Sequence, residues 1–123
     1  GWQFPKLKLQ AMYAYWHCGN ENEKIPPMKW LEPSDISHLG RRATTTLGEI
    51  RKVMLIIDKR AQQKGLRVRP MMTYLEVNSL FAHGEDAITE LVPATTNMGR
   101  VRNVSGLRVK TVVTYITKQK KEG

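Results

Sequence analysis

Between Thr46 and Gly65 the aliphatic residues Leu47, Ile50, Met54, Ile57 and Ala61 recur in steps of three or four, and Val53 and Ile56 widen the stripe. That spacing places them on one side of an α-helix, whereas a strand would alternate them in steps of two. Thr46 and Glu49 have the spacing of a capping box, in which each side chain satisfies a backbone N–H of the other. The pattern predicts a helix from Thr46 to Gly65. A helix of that length needs partners along its apolar side, so the remaining segments are read as candidates to cover it.

Most of them are helical too. A helix is predicted from Pro5 to Cys18, with Leu9, Met12, Tyr13 and Trp16 as its stripe and Gly19 as its stop. Asn20 to Pro33 reads as a loop that packs down through Ile25, Met28, Trp30 and Leu31, and Ser34 caps a short helix to Leu39. Leu66 to Pro70 reads as a basic loop. Thr73 and Glu76 repeat the capping-box spacing ahead of Val77, Leu80, Phe81, Ala87, Ile88 and Leu91, and Pro93 ends that helix. Gly84 in its middle, about 1 kcal/mol worse than Ala in a helix, marks a kink or a break there. Thr95, Thr96 and Asn97 supply caps for a short segment about Met98–Val104, and Ser105-Gly106 turns the chain into a last helix. Val109, Val112, Val113 and Ile116 recur at i, i+3, i+4 and i+7. Their β-branched content equally suits a strand, but the spacing and the helical surroundings favour a helix. The expected fold is all-α: one domain of residues 1–123, a bundle of about five helices with a helix-turn-helix-like C-terminal unit and a frayed tail over 118–123.

The net charge of +9 is unevenly spread. Residues 1–93 hold thirteen Lys/Arg against ten Asp/Glu, while residues 94–123 hold seven against one. From Ala94 to Lys121 there is no acidic residue at all. Such asymmetry points to a polyanion, nucleic acid ahead of a membrane surface. A membrane-surface helix wants Trp, Phe or Leu on its buried side, and this one carries Val and Ile. Opposite that side, Arg108, Lys110, Thr111, Thr114, Lys118 and Gln119 point outward, residue types that bond phosphates and base edges. Basic C-terminal helices are also common as plain solvated faces, and lysines at a helix C-terminus suit the macrodipole without a ligand.

The candidate DNA-binding residues are therefore Arg100, Arg102, Arg108, Lys110, Thr111, Thr114 and Lys118, with phosphate clamps from Arg41, Arg42, Arg67 and Arg69. The expected partner is double-stranded DNA; RNA held without sequence reading, as in a nucleoprotein-like assembly domain, is the alternative. Trp2, Trp16 and Trp30 are types that stack on bases, with Trp2 the one read as free. No membrane partner, metal or cofactor is expected. His17, Cys18, His38 and His83 follow no zinc spacing, and no Ser/His/Asp order, Gly-rich phosphate loop or paired-carboxylate site suggests an enzyme. The lone Cys18 suits a reducing compartment, the nucleus in a eukaryote and otherwise the cytoplasm. Gly1 in first position is compatible with a longer parent chain.

Two resemblances follow from these residues. Val101 to Tyr115, with Gly106 in the turn, Leu107 after it and Val112 and Tyr115 beyond, resembles a helix-turn-helix; Arg102 stands where that motif places a small residue. In the front half, Phe4-Pro5, the aromatic helix to Trp16, Gly19, Ile25-Pro-Pro27, Leu31, Asp35, Arg41-Arg42 and Ile50…Met54…Ile57 are similar in order to the helical DNA-binding domain of fungal activators of glycolytic genes. That domain also occurs in Crypton-type tyrosine-recombinase transposons. The resemblance implies an all-helical, sequence-specific DNA-binding module of a transcription regulator or mobile-element protein, with Arg41 and Arg42 matching its paired arginines. It leaves open the non-catalytic domain of a recombinase.

Overall fold

Helix α3 (Arg41–Gln63) runs through the middle of the molecule, and most of the other helices pack on it. The computed structural model describes residues 3–122, leaving aside the Glu122 side chain; Trp2 lies outside the described residues. In chain order the helices are α1 (Leu9–Cys18), α2 (Pro33–Ile36), α3, α4 (Tyr74–Gly84), α5 (Asp86–Leu91) and α6 (Val109–Glu122), with single 3-10 turns at Met28–Trp30, Ser37–Leu39 and Val104–Gly106. Among the described residues there is no strand, only two isolated bridges, so the all-α expectation holds. Leu47, Ile50, Val53, Met54, Ile57 and Ala61 of α3 are all buried, the register read from their spacing. Val77, Leu80 and Phe81 of α4, Ile88 of α5 and Val109, Val112 and Ile116 of α6 join them in one core with Leu9, Tyr13 and Trp16 of α1.

Boundaries depart from the sequence reading where distant partners set them. α3 opens at Arg41, not at Thr46, because Gly40 takes a left-handed φ of 103° and turns the chain straight out of the preceding 3-10 turn. Thr46 is then already inside the helix, and its hydroxyl donates back to the Arg42 carbonyl (2.9 Å) instead of capping. α1 opens at Leu9 rather than Pro5, since the Leu9 N–H donates to the Leu107 carbonyl (2.7 Å) while residues 3–8 run irregularly. The short helix begins at Pro33, one residue before the expected Ser34 cap, with the Asp35 carboxylate accepting from the Glu32 N–H (2.8 Å). Trp30, expected to pack down with its loop, is 48% exposed.

The Thr73–Glu76 box forms as read. Gly84 does break the apolar run into α4 and α5, and it is buried against α3. Residues 98–103 are not helical. Thr95 pairs with Val101 in a small hairpin, because the Thr96 hydroxyl accepts the Met98 and Arg100 N–H groups that a helix would give to carbonyls. The first helix of a tight helix-turn-helix is therefore missing, and only the Val104–Gly106 turn precedes α6. α6 itself continues to Glu122, where a frayed tail was expected from 118.

One polar cluster lies inside this apolar frame. The Tyr13 hydroxyl donates to Asp58 Oδ1 (2.5 Å), His17 Nε2 sits 2.8 Å from the same oxygen, and Lys29 Nζ lies 2.9 Å from His17 Nδ1 and donates to the Arg69 carbonyl (2.8 Å). With Lys29 charged, Nδ1 must accept, so the His17 proton sits on Nε2 and points at Asp58. The chain ties α1, α3 and two loops together. It also accounts for His17, both of whose ring nitrogens face partners, Asp58 and Lys29.

Candidate nucleic-acid interface

The N-terminal turns of α3 and the first half of α6 lie side by side and leave an open groove of about 680 Å³ between them. Phe4, Pro5, Met12, Ile50, Val109 and Val113 form its apolar floor. Its rim is polar: Arg41, Arg42, Thr45 and Thr46 from α3 face Lys110 from α6. Farther along α6 the same side continues through Thr114, Thr117, Lys118 and Lys121. The period of α6 explains this: Lys110, Thr114, Thr117 and Lys121 follow one another at 3–4 residue steps, beside the buried Val109, Val112 and Ile116. Thr45, Thr117 and Lys121 were not singled out from the sequence. For the last two, the missed signal is that helical spacing, and Lys121 was further hidden once residues 118–123 were read as a frayed tail.

Arg41, Arg42, Arg108, Lys110 and Thr114 are exposed, and none of the four cations pairs with a described carboxylate. One acid does enter the groove. Glu49 of α3 lines it opposite Lys110, a neighbour that the α6 sequence alone does not reveal. The Thr114 and Thr117 hydroxyls donate to the Lys110 and Val113 carbonyls, each at 3.0 Å. Their oxygen lone pairs remain free to accept, which suits an amino group better than a phosphate. Thr111 is half-buried on the other flank of α6.

That flank carries Arg102. Its guanidinium carbon lies 5.4 Å from the centre of the Tyr115 ring, and Lys118 Nζ lies 5.1 Å from the same centre. Arg102 Nε and Nη1 are shielded without a hydrogen-bond acceptor among the described residues, and the ring's negative face attracts the guanidinium. Arg100 is exposed in the hairpin.

The structure does not bring Arg67 and Arg69 to this groove. They follow the C-terminus of α3 while Arg41 and Arg42 form its first turn, and 22 helical steps at 1.5 Å separate the two ends by about 33 Å. Arg69 is in addition ion-paired with Glu76. Among the described residues no cluster of three or more His, Cys, Asp or Glu is placed to hold a metal ion, and no helix is long and apolar enough to cross a membrane. No protein family, curated protein or solved structure matches this chain.

Proposed function

We propose that this chain is a double-stranded DNA-binding domain that reads sequence with α6, as part of a transcription regulator or mobile-element protein. One observation carries the reading: Lys110, Thr114, Thr117 and Lys121 of α6 share a rim with Arg41 and Arg42 across the groove, and none of these cations has a carboxylate partner among the described residues. With 14 residues α6 spans about 21 Å, and a helix about 10–12 Å thick suits a major groove about 12 Å wide. In this arrangement Lys110, Thr114 and Lys118 meet base edges, while Arg41 and Arg42 reach the adjacent phosphates. The resemblance to the fungal activator and Crypton domain supports the same assignment through its paired arginines.

Competition binding at fixed salt tests it. Oligonucleotide selection with the whole chain should yield a duplex preferred over random DNA and over RNA by about a thousandfold or more, the usual margin of a specific binder. A margin near one would favour the second reading, a non-specific nucleic-acid-binding or assembly domain. The internal bonding of the Thr114 and Thr117 hydroxyls favours that reading, because their protons are already used and fewer side chains on this side are left to donate to base edges.

A further inference from the structure

The hairpin between α5 and α6 has no part in the groove, yet it is built with care. Thr95 and Val101 pair across it, the Gly99 N–H donates to the Thr96 carbonyl (2.9 Å), and the Thr96 N–H donates to the Arg100 carbonyl (2.8 Å). Gly99 takes the left-handed φ of 79° that a three-residue hairpin loop requires. This ordered tip holds Met98 at 86% exposure and Val101 at 83%, two apolar side chains in water with Arg100 between them. Arg102 at its foot stacks on Tyr115, which fixes the hairpin beside the outward side of α6. Nothing acidic lies between Ala94 and Lys121.

We propose that this hairpin is a second DNA-contacting element, whose tip enters the minor groove next to the major groove occupied by α6, Met98 wedging at a base step and Arg100 lying along the groove. The inference rests on the DNA-binding reading above. Groove dimensions decide where the tip goes. Two paired strands stand about 4.8 Å apart before their side chains are added, so the ribbon as a whole is too thick for a minor groove about 6 Å wide. Side chains projecting from its tip are not. An exposed apolar wedge flanked by arginine is the chemistry that unstacks a step and follows the negative potential of an A·T-rich minor groove. Along the chain, no carboxylate from Ala94 to Lys121 would repel the phosphates on either side of that groove.

Inosine separates the grooves, because an I·C pair shows the minor groove an A·T pattern and the major groove a G·C pattern. The duplex selected by the whole chain is rebuilt with flanks of A·T, I·C or G·C pairs and carries end labels for energy transfer. Wild type should bind the A·T and I·C duplexes alike and bend both, and should bind the G·C duplex roughly tenfold less tightly. The double variant Met98→Ala/Arg100→Ala, altered only at exposed positions, should lose both the bend and the preference while melting like wild type. If I·C behaves as G·C, or if the variant bends and discriminates like wild type, the finger is overturned while DNA binding by α6 stands. If wild type selects no duplex and binds none at low salt, the DNA reading itself falls.

Discussion

Replacing Gly84 with alanine sets a methyl carbon 2.3 Å from the Ile57 carbonyl oxygen, 2.8 Å from Ile57 Cγ2 and 3.0 Å from the Ile57 carbonyl carbon. Two of those atoms are backbone of α3, so no rotamer change relieves the clash. Ordinary contact begins near 3.4 Å, and the helices must part by about an ångström. A gap of about 0.5–1 Å already forfeits a quarter to a half of the dispersion attraction across it. Val53, Ile57, Val77, Leu80 and Phe81 are all in that buried layer. Overpacking of this kind costs about 1–3 kcal/mol or more, against a gain of at most about 1 kcal/mol from alanine's helix propensity. We expect Gly84→Ala to lower stability in urea unfolding by about 2 kcal/mol or more, with the slope on urea unchanged. Gly48, inside α3 with nothing within 4 Å of its would-be Cβ, is the control. The same substitution there should stabilise by up to about 1 kcal/mol. A neutral or stabilising Gly84→Ala, or two shifts of the same sign, would refute the close α3–α4 crossing.

Asp58→Ala should cost about 3 kcal/mol, because it leaves His17 and the Tyr13 hydroxyl buried without their shared acceptor. Burial and the neighbouring Asp58 charge push the Tyr13 phenol above its ordinary range, so the stability it confers is whole below about pH 10 and fades as pH rises beyond. Stability measured across that limit should fall less steeply in Tyr13→Phe than in wild type. Arg41→Ala/Arg42→Ala should weaken all duplexes alike and lower the salt slope by about one to two, whereas Arg67→Ala, at the far end of α3, should leave both unchanged. Lys110→Ala and Thr114→Ala should instead relax preference among duplexes, by about 1–3 kcal/mol at each base pair these side chains read, with thermal melting unchanged. Deleting residues 107–123 removes buried Val109, Val112 and Ile116 and the carbonyl that receives the Leu9 N–H, and should abolish cooperative melting.

What could be read from the sequence was whatever neighbouring residues decide. The α3 register follows from side chains one turn apart, and the Thr73 cap from a bond three residues long, so both stand as read. Thr46 and Glu49 have the same spacing as Thr73 and Glu76 and form no cap. The difference lies outside the motif, in Gly40, which had already started the helix. The start of α1 depends on Leu107, nearly a hundred residues away. Among the candidate site residues, Lys110 and Thr114 were legible because they oppose an apolar stripe on one helix. Joining them to Arg41 and Arg42, and parting them from Arg67 and Arg69, depends on how a 23-residue helix lies in the fold. Glu49 enters the groove for the same reason.

The fold also settles which charges are left for a partner. At the α4–α5 side of the molecule, Arg60 bonds both carboxylate oxygens of Glu90 (2.9 and 2.7 Å), Lys64 bonds Asp86 (2.8 Å) and Arg69 holds Glu76. The hydrogen bond from Lys64 draws the Asp86 carboxyl below its ordinary range, and that from Arg60 does the same to Glu90, so these acids stay ionised and matched. The cations of α6 and the first turn of α3 have no such partners among the described residues. Glu76, Asp86 and Glu90 thus each cancel a cation near them at the α4–α5 side, and the rim cations keep their charge. Surface pairs of that kind contribute little to stability, and the buried Tyr13–Asp58–His17 cluster is shielded from salt. Salt therefore acts on two parts of the molecule unequally. It screens the unpaired rim, where a polyanion would bind, and barely touches the core that holds the rim in place.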